Sequence, residues 1–451
     1  MGNITLQQAA AWCGGTIDPK YAQVEFLGAN NDTRILREGQ LFLALKGARD
    51  GHDFIPQAFE KGAAAVLCEH CDGDFPAIVV DDVRIALGKI ANGERHRIGM
   101  KVVGVTGSVG KSTTKEMIST VLETTFRTAK TPANHNNDIG MPMGILSMPE
   151  DTQVAVLEMG MNHFREMAYL SEIGQPDLAV IVNIGTMHIE HLGSQEGILQ
   201  AKLEILEGMA KDAPVLLNGD DKFLGTASCG EHPVTYFGTG ENCAVRGLEP
   251  AIGTGITAFR AQAKGQEFHV ELPVEGEHFV CDALAAVAVG LELSVEPVKI
   301  QESLSVFRNM AGRQEIYEKN GFRIISDCYN AGPESMAAAL KVLGRQSGRK
   351  IAVLGDMLEL GTCTTAEHYK VGRIAAEQAD RVLAYGPNGA RVEKGALTGG
   401  MTGGAARSFT DRDQLVVELK RLARPGDVIL FKGSRGMHME LALEKFFADE
   451  R

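Results

Sequence analysis

The 451-residue sequence lacks long apolar runs and any excess of positive charge. No apolar stretch reaches the 18 or so residues that a membrane-spanning helix needs, so we expect no membrane insertion. Lysine and arginine total 45 against 58 aspartates and glutamates, a formal net charge of −13. A chain this acidic is a poor electrostatic partner for nucleic acid or anionic membranes. Any anionic ligand must therefore be held by local devices, such as backbone N–H groups and single cationic side chains.

Cysteine is also sparse, and its eight residues follow no framework spacing. Nothing at the start of the sequence resembles a signal peptide, so we expect reduced thiols and a cytoplasmic protein. The one close pair is Cys68-Glu-His-Cys71. A structural zinc site normally needs a second such pair, and the sequence has no other CxxC. We interpret the pair as a strand end with two small buried or half-buried residues.

Glycine, by contrast, is abundant. The chain has 52 glycines and only 15 prolines, and the glycine share is well above the usual value of about 7%. This surplus indicates the tight turns of an α/β protein. A content of 44% hydrophobic and 23% charged residues is ordinary for a globular chain, and the length predicts two to four domains.

Strand-like apolar runs alternate with helical periodicity, which predicts an α/β protein with parallel sheets and right-handed crossovers. We divide the chain into three domains, residues 1–98, 99–312 and 313–451. The predicted strands cover residues 40–45, 64–68, 77–80, 101–106, 154–158, 178–183, 215–218, 322–326, 350–354, 381–385 and 427–431. Residues 56–62 and 84–96 are predicted helices, and the glycine-rich stretch 398–404 is a predicted surface loop.

The strongest local signal is a phosphate-loop pattern between a predicted strand and a predicted helix, Gly107-Ser108-Val109-Gly110-Lys111-Ser112-Thr113. Glycines let backbone N–H groups turn toward a phosphate, and the helix N-terminus adds partial positive charge. Lys111 would reach the β- and γ-phosphates, and the Ser112 or Thr113 hydroxyl would bind Mg²⁺. The strict GxxxxGK[ST] pattern requires glycine at position 105, where this chain has valine. The shorter core GxxGK[ST] is intact.

Two further residues follow predicted strands and should lie at the carboxyl edge of the sheet, where ligands collect. Glu158 would offer Mg²⁺ a hard oxygen ligand there. His188 follows the strand at 178–183, and His188-Ile-Glu-His191 lacks the HExxH spacing of a zinc site. A phosphate loop alone leaves kinases, GTPases, motor ATPases and ligases open.

These motifs, taken in order, resemble those of the ATP-dependent Mur ligases of peptidoglycan synthesis along nearly the whole chain. TGSVGKST resembles the family's TGxxGKT[ST], and TPANHNNDIGMP at 131–142 resembles its GNxNNxIGxP segment. The resemblance implies that Glu158 and His188 are Mg²⁺ ligands. It also implies that Lys202, in the sequence AKLE, is carbamylated and becomes a carboxylate-like ligand of a second Mg²⁺.

Other motifs resemble one type within the family, which adds D-alanyl-D-alanine to UDP-MurNAc-tripeptide. Gly312-Arg313 and DCYNAGP at 327–333 resemble its hinge elements, and LGDMLELG at 354–361 and FKGSR at 431–435 are similar to its third-domain motifs. DTR, LALKG and DGHDF between residues 32 and 54 resemble its UDP-sugar domain. The resemblance implies a UDP-sugar-binding first domain, a P-loop ATPase domain and a Rossmann-like third domain.

The resemblance also assigns roles to individual residues. It implies catalytic roles for Lys111, Glu158, His188, Lys202 and Arg313. It implies that ATP contacts the phosphate loop, His278, Asp327 and Asn330. It implies that the substrates contact Thr33, Arg34, Lys46, Asn134, Asn137, Tyr329, Asn330, Lys432 and Arg435. The family's HNxxNxxAA pattern departs here, because Phe279 and Asp282 replace the two asparagines near the adenine.

Together these features predict a monomeric, ATP- and Mg²⁺-dependent amide ligase that works on small molecules through an acyl phosphate. A sister ligase that adds a single amino acid is one alternative. The DNPR motif of the diaminopimelate ligases is missing, however, and the folate ligases lack the UDP-sugar domain. The other alternative is a non-catalytic, nucleotide-gated P-loop module. The intact site residues argue against it: Lys111, Glu158, His188 and Lys202.

Overall fold

Three β-sheets organise the chain, and each forms from a separate part of the sequence. The structure is a computed structural model that describes residues 3–448. Four strands between residues 29 and 79 form the first sheet, nine strands between 101 and 272 the second, and six strands between 315 and 432 the third. The α/β class is confirmed, and the domain boundaries at 98 and 312 stay predictions.

The first sheet is entirely parallel, with its strands in chain order. A short antiparallel pair, β1 (Ile4–Thr5) and β2 (Glu25–Phe26), lies beside it. The sheet strands are β3 (Ala29–Asn30), β4 (Leu41–Leu43), β5 (Ala65–Cys68) and β6 (Ala77–Val79), and the helices are α1 (Leu6–Cys13), α2 (Ile55–Glu60) and α3 (Val83–Ile98). Helix α3 begins where the Asp82 side chain caps two backbone N–H groups, and it ends at Gly99 in the left-handed region (φ 73°).

The CxxC pair lies where the sequence predicted a strand end. Cys68 is the buried last residue of β5, and Cys71 is half-buried in the loop that follows. All eight cysteines are unpaired thiols.

The nine-stranded sheet is parallel over seven strands and continues as an antiparallel meander. Its order is β15-β14-β13-β12-β11-β10-β7-β9-β8. The strands are β7 (Lys101–Thr106), β8 (Thr128–Lys130), β9 (Val154–Glu158), β10 (Leu178–Ile181), β11 (Val215–Asn218), β12 (Val234–Gly238), β13 (Val245–Gly253), β14 (Ile256–Ala263) and β15 (Gln266–Leu272). The antiparallel pairs β13–β14 and β14–β15 were not predicted.

Helices cover both faces of this sheet. They are α4 (Lys111–Leu122), α5 (Gly140–Leu146), α6 (Glu166–Gly174), α7 (Ile189–Leu192), α8 (Gln195–Leu203), α9 (His278–Glu292) and α10 (Pro297–Ser305). On one face, a single hydrophobic core continues into the first sheet and includes Leu67, Ile90, Met141 and Leu157. The first and second sheets are therefore joined by apolar packing through α3 and α5.

The third sheet has five parallel strands with one antiparallel strand at its edge. Its order is β16-β17-β21-β18-β19-β20. The strands are β16 (Glu315–Lys319), β17 (Phe322–Asp327), β18 (Lys350–Gly355), β19 (Arg381–Tyr385), β20 (Ala406–Phe409) and β21 (Val428–Lys432), and the helices are α11 (Pro333–Arg345), α12 (Thr364–Gln378), α13 (Gly389–Thr398), α14 (Arg412–Leu422) and α15 (Met439–Phe447). Residues 399–404 form the predicted glycine-rich loop.

Candidate active site

A cavity of about 490 Å³ lies between the carboxyl edges of the second and third sheets. Most of the predicted site residues line it: Ser108, Val109, Gly110, Lys111, Ser112, Thr113, Asn137, Glu158, His188, His278, Arg313, Asp327, Tyr329, Asn330 and Lys432. Gly107, Asn134, Lys202 and Arg435 are not among the lining residues. The cavity thus gathers residues from across 324 positions of sequence, Ser108 to Lys432.

Asn183 holds the phosphate loop in place. The Ser108 N–H donates to both the backbone oxygen (3.1 Å) and Oδ1 (3.0 Å) of Asn183, and the Val109 N–H donates to the same Oδ1 at 2.9 Å. Asn183 Nδ2 in turn donates to the Val109 carbonyl at 2.9 Å. We did not single out Asn183 from the sequence, although a polar residue closing the buried run LAVIV was a usable signal.

Lys111 is the first residue of α4 and folds back over the loop. Its ammonium donates to the Gly107 carbonyl at 2.8 Å and to the Ser108 carbonyl at 3.2 Å. Burial lowers the pKa of Lys111, and the nearby Glu158 carboxylate opposes that shift. The preceding Gly110 has φ 85°, a left-handed conformation that glycine adopts without strain.

Glu158 ends β9 with one carboxylate oxygen satisfied and one not. Oε1 accepts a hydrogen bond from Asn136 Nδ2 at 2.9 Å, whereas Oε2 is buried without a partner. The ammonium of fully buried Lys115 lies 3.8 Å from Oε2. The Lys115 ammonium donates instead to the Thr131 carbonyl at 2.8 Å. Because buried polar atoms are normally hydrogen-bonded, Glu158 Oε2 on the cavity wall is available to bind a further cation.

The donor set around Glu158 therefore fits Mg²⁺, which prefers oxygen ligands and completes its shell with water and substrate phosphates. The Ser112 and Thr113 hydroxyls line the same cavity. Within residues 3–448, no cluster of three or more His, Cys, Asp or Glu side chains is placed to hold a metal unaided.

Arg313 joins the third sheet's side of the cavity to the phosphate loop. Its guanidinium donates to Ser112 Oγ at 3.0 Å and stacks on the Tyr329 ring at 3.6 Å. Burial lowers the pKa of Arg313, while the charge of Glu158 opposes the shift.

Lys432 is almost fully buried and is engaged within its own domain. Its ammonium donates to Asp327 Oδ2 at 2.6 Å and to the Asn330 carbonyl at 3.0 Å. Asn330 uses its own Oδ1 to accept from the Ala331 N–H. Arg435 is largely exposed and pairs with Glu440 at 3.4 Å.

Lys202 lies in α8 and is only 2% exposed. Its ammonium makes no hydrogen bond or ion pair with any residue between 3 and 448. Burial and the charge of Lys111 move the pKa of Lys202 well below its ordinary value. Taken alone, a lysine on such a helix would ordinarily lie at the surface, and this one does not.

Phe279 and Asp282 change the environment that the family pattern implied. Phe279 is buried in the core, with its ring 4.2 Å from the His278 ring. Asp282 lies beneath the phosphate loop, and burial raises the pKa of its carboxyl to about 7. Burial also lowers the pKa of His278 to about 4, so His278 is neutral at pH 7.

The first-domain residues form contacts of their own and do not line this cavity. Thr33 donates to Gln57 Oε1 at 2.9 Å, Arg34 pairs with Asp32 at 2.6 Å, and Lys46 pairs with Glu69.

Three domain families match consecutive parts of the sequence. They are the Mur ligase family catalytic domain at residues 25–95, the Mur ligase middle domain at 105–290, and the Mur ligase glutamate ligase domain at 312–435. A UDP-N-acetylmuramoyl-tripeptide–D-alanyl-D-alanine ligase from Bacillus subtilis is 41% identical over 97% of this chain and 96% of its own length. The chain belongs to the Mur ligase family.

Solved structures agree over the full length. A MurF from Acinetobacter baumannii superposes with a TM-score of 0.91 at 33% identity and covers 99% of each chain. A MurF from Thermotoga maritima, solved in complex with ADP, has a TM-score of 0.82 at 30% identity and covers 93% of this chain and 97% of its own. No helix among residues 3–448 of the present chain is both long and apolar enough to cross a membrane.

Proposed function

We propose that this chain joins D-alanyl-D-alanine to UDP-N-acetylmuramoyl-tripeptide, with hydrolysis of ATP to ADP and phosphate. The observation that carries the proposal is Glu158 Oε2, which accepts no hydrogen bond from residues 3–448 and lies in one cavity with Lys111 and the third-domain residue Arg313. The names of full-length relatives supply the substrates.

The chemistry follows from the weakness of a carboxylate as an acyl donor. Transfer of the γ-phosphoryl group to the tripeptide carboxylate gives an acyl phosphate, whose leaving group is phosphate. The dipeptide amine then attacks the carbonyl carbon, the C–O bond to phosphate breaks, and an amide forms. Such transfer depends on positioning and on charge neutralisation.

The chain's own residues divide these tasks. Lys111 holds the β- and γ-phosphates, and the loop shaped by Asn183 orients them. Glu158, with Ser112 or Thr113, would hold one Mg²⁺, and His188 with carbamylated Lys202 would hold a second. When bound, these ions would offset the repulsion between the γ-phosphate and the acceptor carboxylate. The Arg313 guanidinium stabilises the negative charge that develops at the phosphates. Tyr329 and Asn330 border the space left for the amino group of the dipeptide.

Carbamylation of Lys202 adds CO₂ to a neutral amine and releases one proton. The depressed pKa of Lys202 increases the neutral fraction that can react. The product carries a carboxylate in place of an ammonium that has no partner in the described part of the chain. This modification remains part of the proposal, as do the two metal sites.

Phosphate release tests the function. With ATP, Mg²⁺ and UDP-MurNAc-tripeptide present, release should rise at least tenfold on adding D-alanyl-D-alanine, and mass spectrometry should show the pentapeptide product. Single amino acids (D-alanine, lysine, diaminopimelate, glutamate) are the controls for a sister ligase. Phosphate release that is unaffected by any amine or UDP-peptide would contradict the ligase assignment.

Two further expectations accompany this proposal. ATP and UDP-linked precursors are intracellular metabolites, so we expect the reaction to occur in the cytoplasm. We also expect a monomer of 48.4 kDa, which light scattering coupled to gel filtration would measure.

A further inference from the structure

His188, in the second domain, is hydrogen-bonded to a residue of the third domain. Its Nδ1 lies 2.6 Å from Oε2 of Glu359, which is 171 residues away in sequence, in the loop after β18. An ionised carboxylate can only accept, so in the neutral imidazole Nδ1 carries the proton and Nε2 keeps the lone pair that can bind a metal. Both residues have left-handed backbone conformations, with φ 63° for His188 and 62° for Glu359.

The loop that carries His188, residues 183–188, is held by the third domain at a second point. Glu334, in the first turn of α11, accepts from the Thr186 N–H at 3.0 Å and from the Thr186 hydroxyl. The His188 loop and the third domain can approach each other closely because glycine lies at two of their contacts. A Cβ on Gly332 would lie 2.6 Å from Met187 Sδ, and one on Gly361 would lie 3.1 Å from Glu190 Cβ.

We propose that Glu359 is a positioning residue that makes the His188 metal site complete only when the second and third domains are closed. The inference rests on the proposed function, because it takes His188 as a ligand of the second Mg²⁺. A ligating histidine usually donates its other N–H to a carboxylate or carbonyl, which fixes the ring's orientation and tautomer. Here that carboxylate belongs to a different domain.

The coupling works in both directions. If closure improves metal binding at His188, metal binding must favour closure by the same free energy. Glu334 offers the matched control, because it joins the same loop to the same domain without touching His188. Glu359→Ala removes both the closure contact and the His188 partner, whereas Glu334→Ala removes a closure contact only. Because the Glu359 side chain is 48% exposed, its substitution should leave the fold intact.

Two measurements test this proposal on the full chain. Long-range ¹H–¹⁵N spectra of labelled histidine report which nitrogen of His188 is protonated, with His188→Ala providing the assignment. Electron paramagnetic resonance titration with Mn²⁺, in bicarbonate and a non-hydrolysable ATP analogue, counts the metal sites and gives their affinities.

For the wild type we expect two Mn²⁺ sites and an Nδ1-protonated His188. Glu359→Ala should weaken one Mn²⁺ site about 10- to 100-fold, spare the other, and abolish the Nδ1–H tautomer preference. Glu359→Gln, which retains an acceptor oxygen, should recover part of the affinity, and Glu334→Ala should preserve the tautomer. A wild type with a single Mn²⁺ site, or Glu359→Ala with both affinities within twofold and the tautomer unchanged, would overturn the proposal. Neither measurement uses D-alanyl-D-alanine, so ligase activity can fail while this inference stands.

Discussion

The Thr114 hydroxyl donates a hydrogen bond of 2.9 Å to Asp282 Oδ1 directly beneath the phosphate loop. The same oxygen would lie 2.8 Å from a Cβ on Gly110, so the carboxyl packs against the loop backbone. Burial raises the pKa of Asp282 from 3.8 to about 7. At a pH below this pKa the Asp282 carboxyl is neutral. At a higher pH the folded protein must bury a negative charge beside its anion-binding loop.

Asp282→Asn should make the protein more stable at pH 8 and should have little effect on its stability at pH 4. The folded state binds more protons than the unfolded state between about pH 4 and 7, so the wild type loses stability as pH rises through that window and stays lower above it. The pKa shift corresponds to a change of at most about 4 kcal/mol in the free energy of unfolding. Thermal unfolding of both proteins from pH 4 to 8 measures the effect.

Glu418→Gln is the control of opposite sign. Hydrogen bonds from Arg421 and Arg407 lower the pKa of Glu418 to about 2. Its stabilising contribution is therefore present above about pH 4.5 and lost as pH falls toward 2, so Glu418→Gln should destabilise the protein at pH 7.

If the difference in melting temperature between Asp282→Asn and wild type is the same at every pH, Asp282 does not titrate in this range.

Lys111→Ala should reduce ATP-dependent phosphate release at least a thousandfold. The substitution removes the cation that reaches the transferring phosphoryl group, a contribution of several kcal/mol to transition-state stabilisation. The fold should be retained, because Lys111 is half-buried and its ammonium contacts two carbonyls of its own loop, Gly107 and Ser108. Lys101→Ala, at the exposed start of the preceding strand β7, is the control and should retain full activity. Turnover above about a tenth of wild type would contradict this role for Lys111.

Asn183→Ala should loosen the phosphate loop and weaken ADP binding about tenfold. The Val109 N–H would lose its acceptor, whereas the Ser108 N–H would keep the Asn183 backbone carbonyl. An unsatisfied buried group costs about 1–3 kcal/mol. Calorimetric titration with ADP measures the affinity. The control is Asn218→Ala, which removes hydrogen bonds with the Val182 carbonyl and the Asp220 N–H and none with the phosphate loop. Equal loss of ADP affinity in both variants would mean that Asn183 only stabilises the sheet.

The phosphate loop could be predicted from sequence because its strand, glycines and helix are contiguous, so local backbone preferences determine its form. Asn183 and Glu359 could not, because their roles arise from contacts with residues 74 and 171 positions away. The antiparallel strand β14 gave a weak signal. Its buried residues alternate as Thr257, Phe259, Ala261 and Ala263, but threonine and alanine make a faint apolar pattern.

Burial likewise distinguishes basic residues whose surroundings the sequence could not show. Lys202 was a candidate carbamylated metal ligand, and Lys432 and Arg435 were candidate substrate-binding cations. Of these three, Lys202 is both buried and without a partner among residues 3–448. Lys432 is neutralised by Asp327, and Arg435 is 60% exposed. Motif spacing carries no information on which of these charges is compensated.

Lys202 provides the last prediction, which concerns carbamylation. Lys202→Ala should lose nearly all ligase activity at neutral pH, because the carboxylate formed on the lysine is the proposed metal ligand. Short carboxylates such as formate or acetate should restore part of the activity by filling the vacated position. The measurement is phosphate release at increasing carboxylate concentration, with Lys111→Ala as the variant that carboxylates should not rescue.

Two substitutions at the same position distinguish a carbamylated lysine from a structural one. Lys202→Arg should be inactive, because arginine keeps a positive charge and forms no carbamate under these conditions. Lys202→Met fills a similar volume without charge, so its melting temperature should equal or exceed that of wild type, since Lys202 is 2% exposed and its ammonium has no partner among residues 3–448. A folded Lys202→Met without activity therefore assigns the loss to chemistry. If Lys202→Arg instead ligates at a near wild-type rate, the carbamate does not form the second metal site, and other residues must supply it.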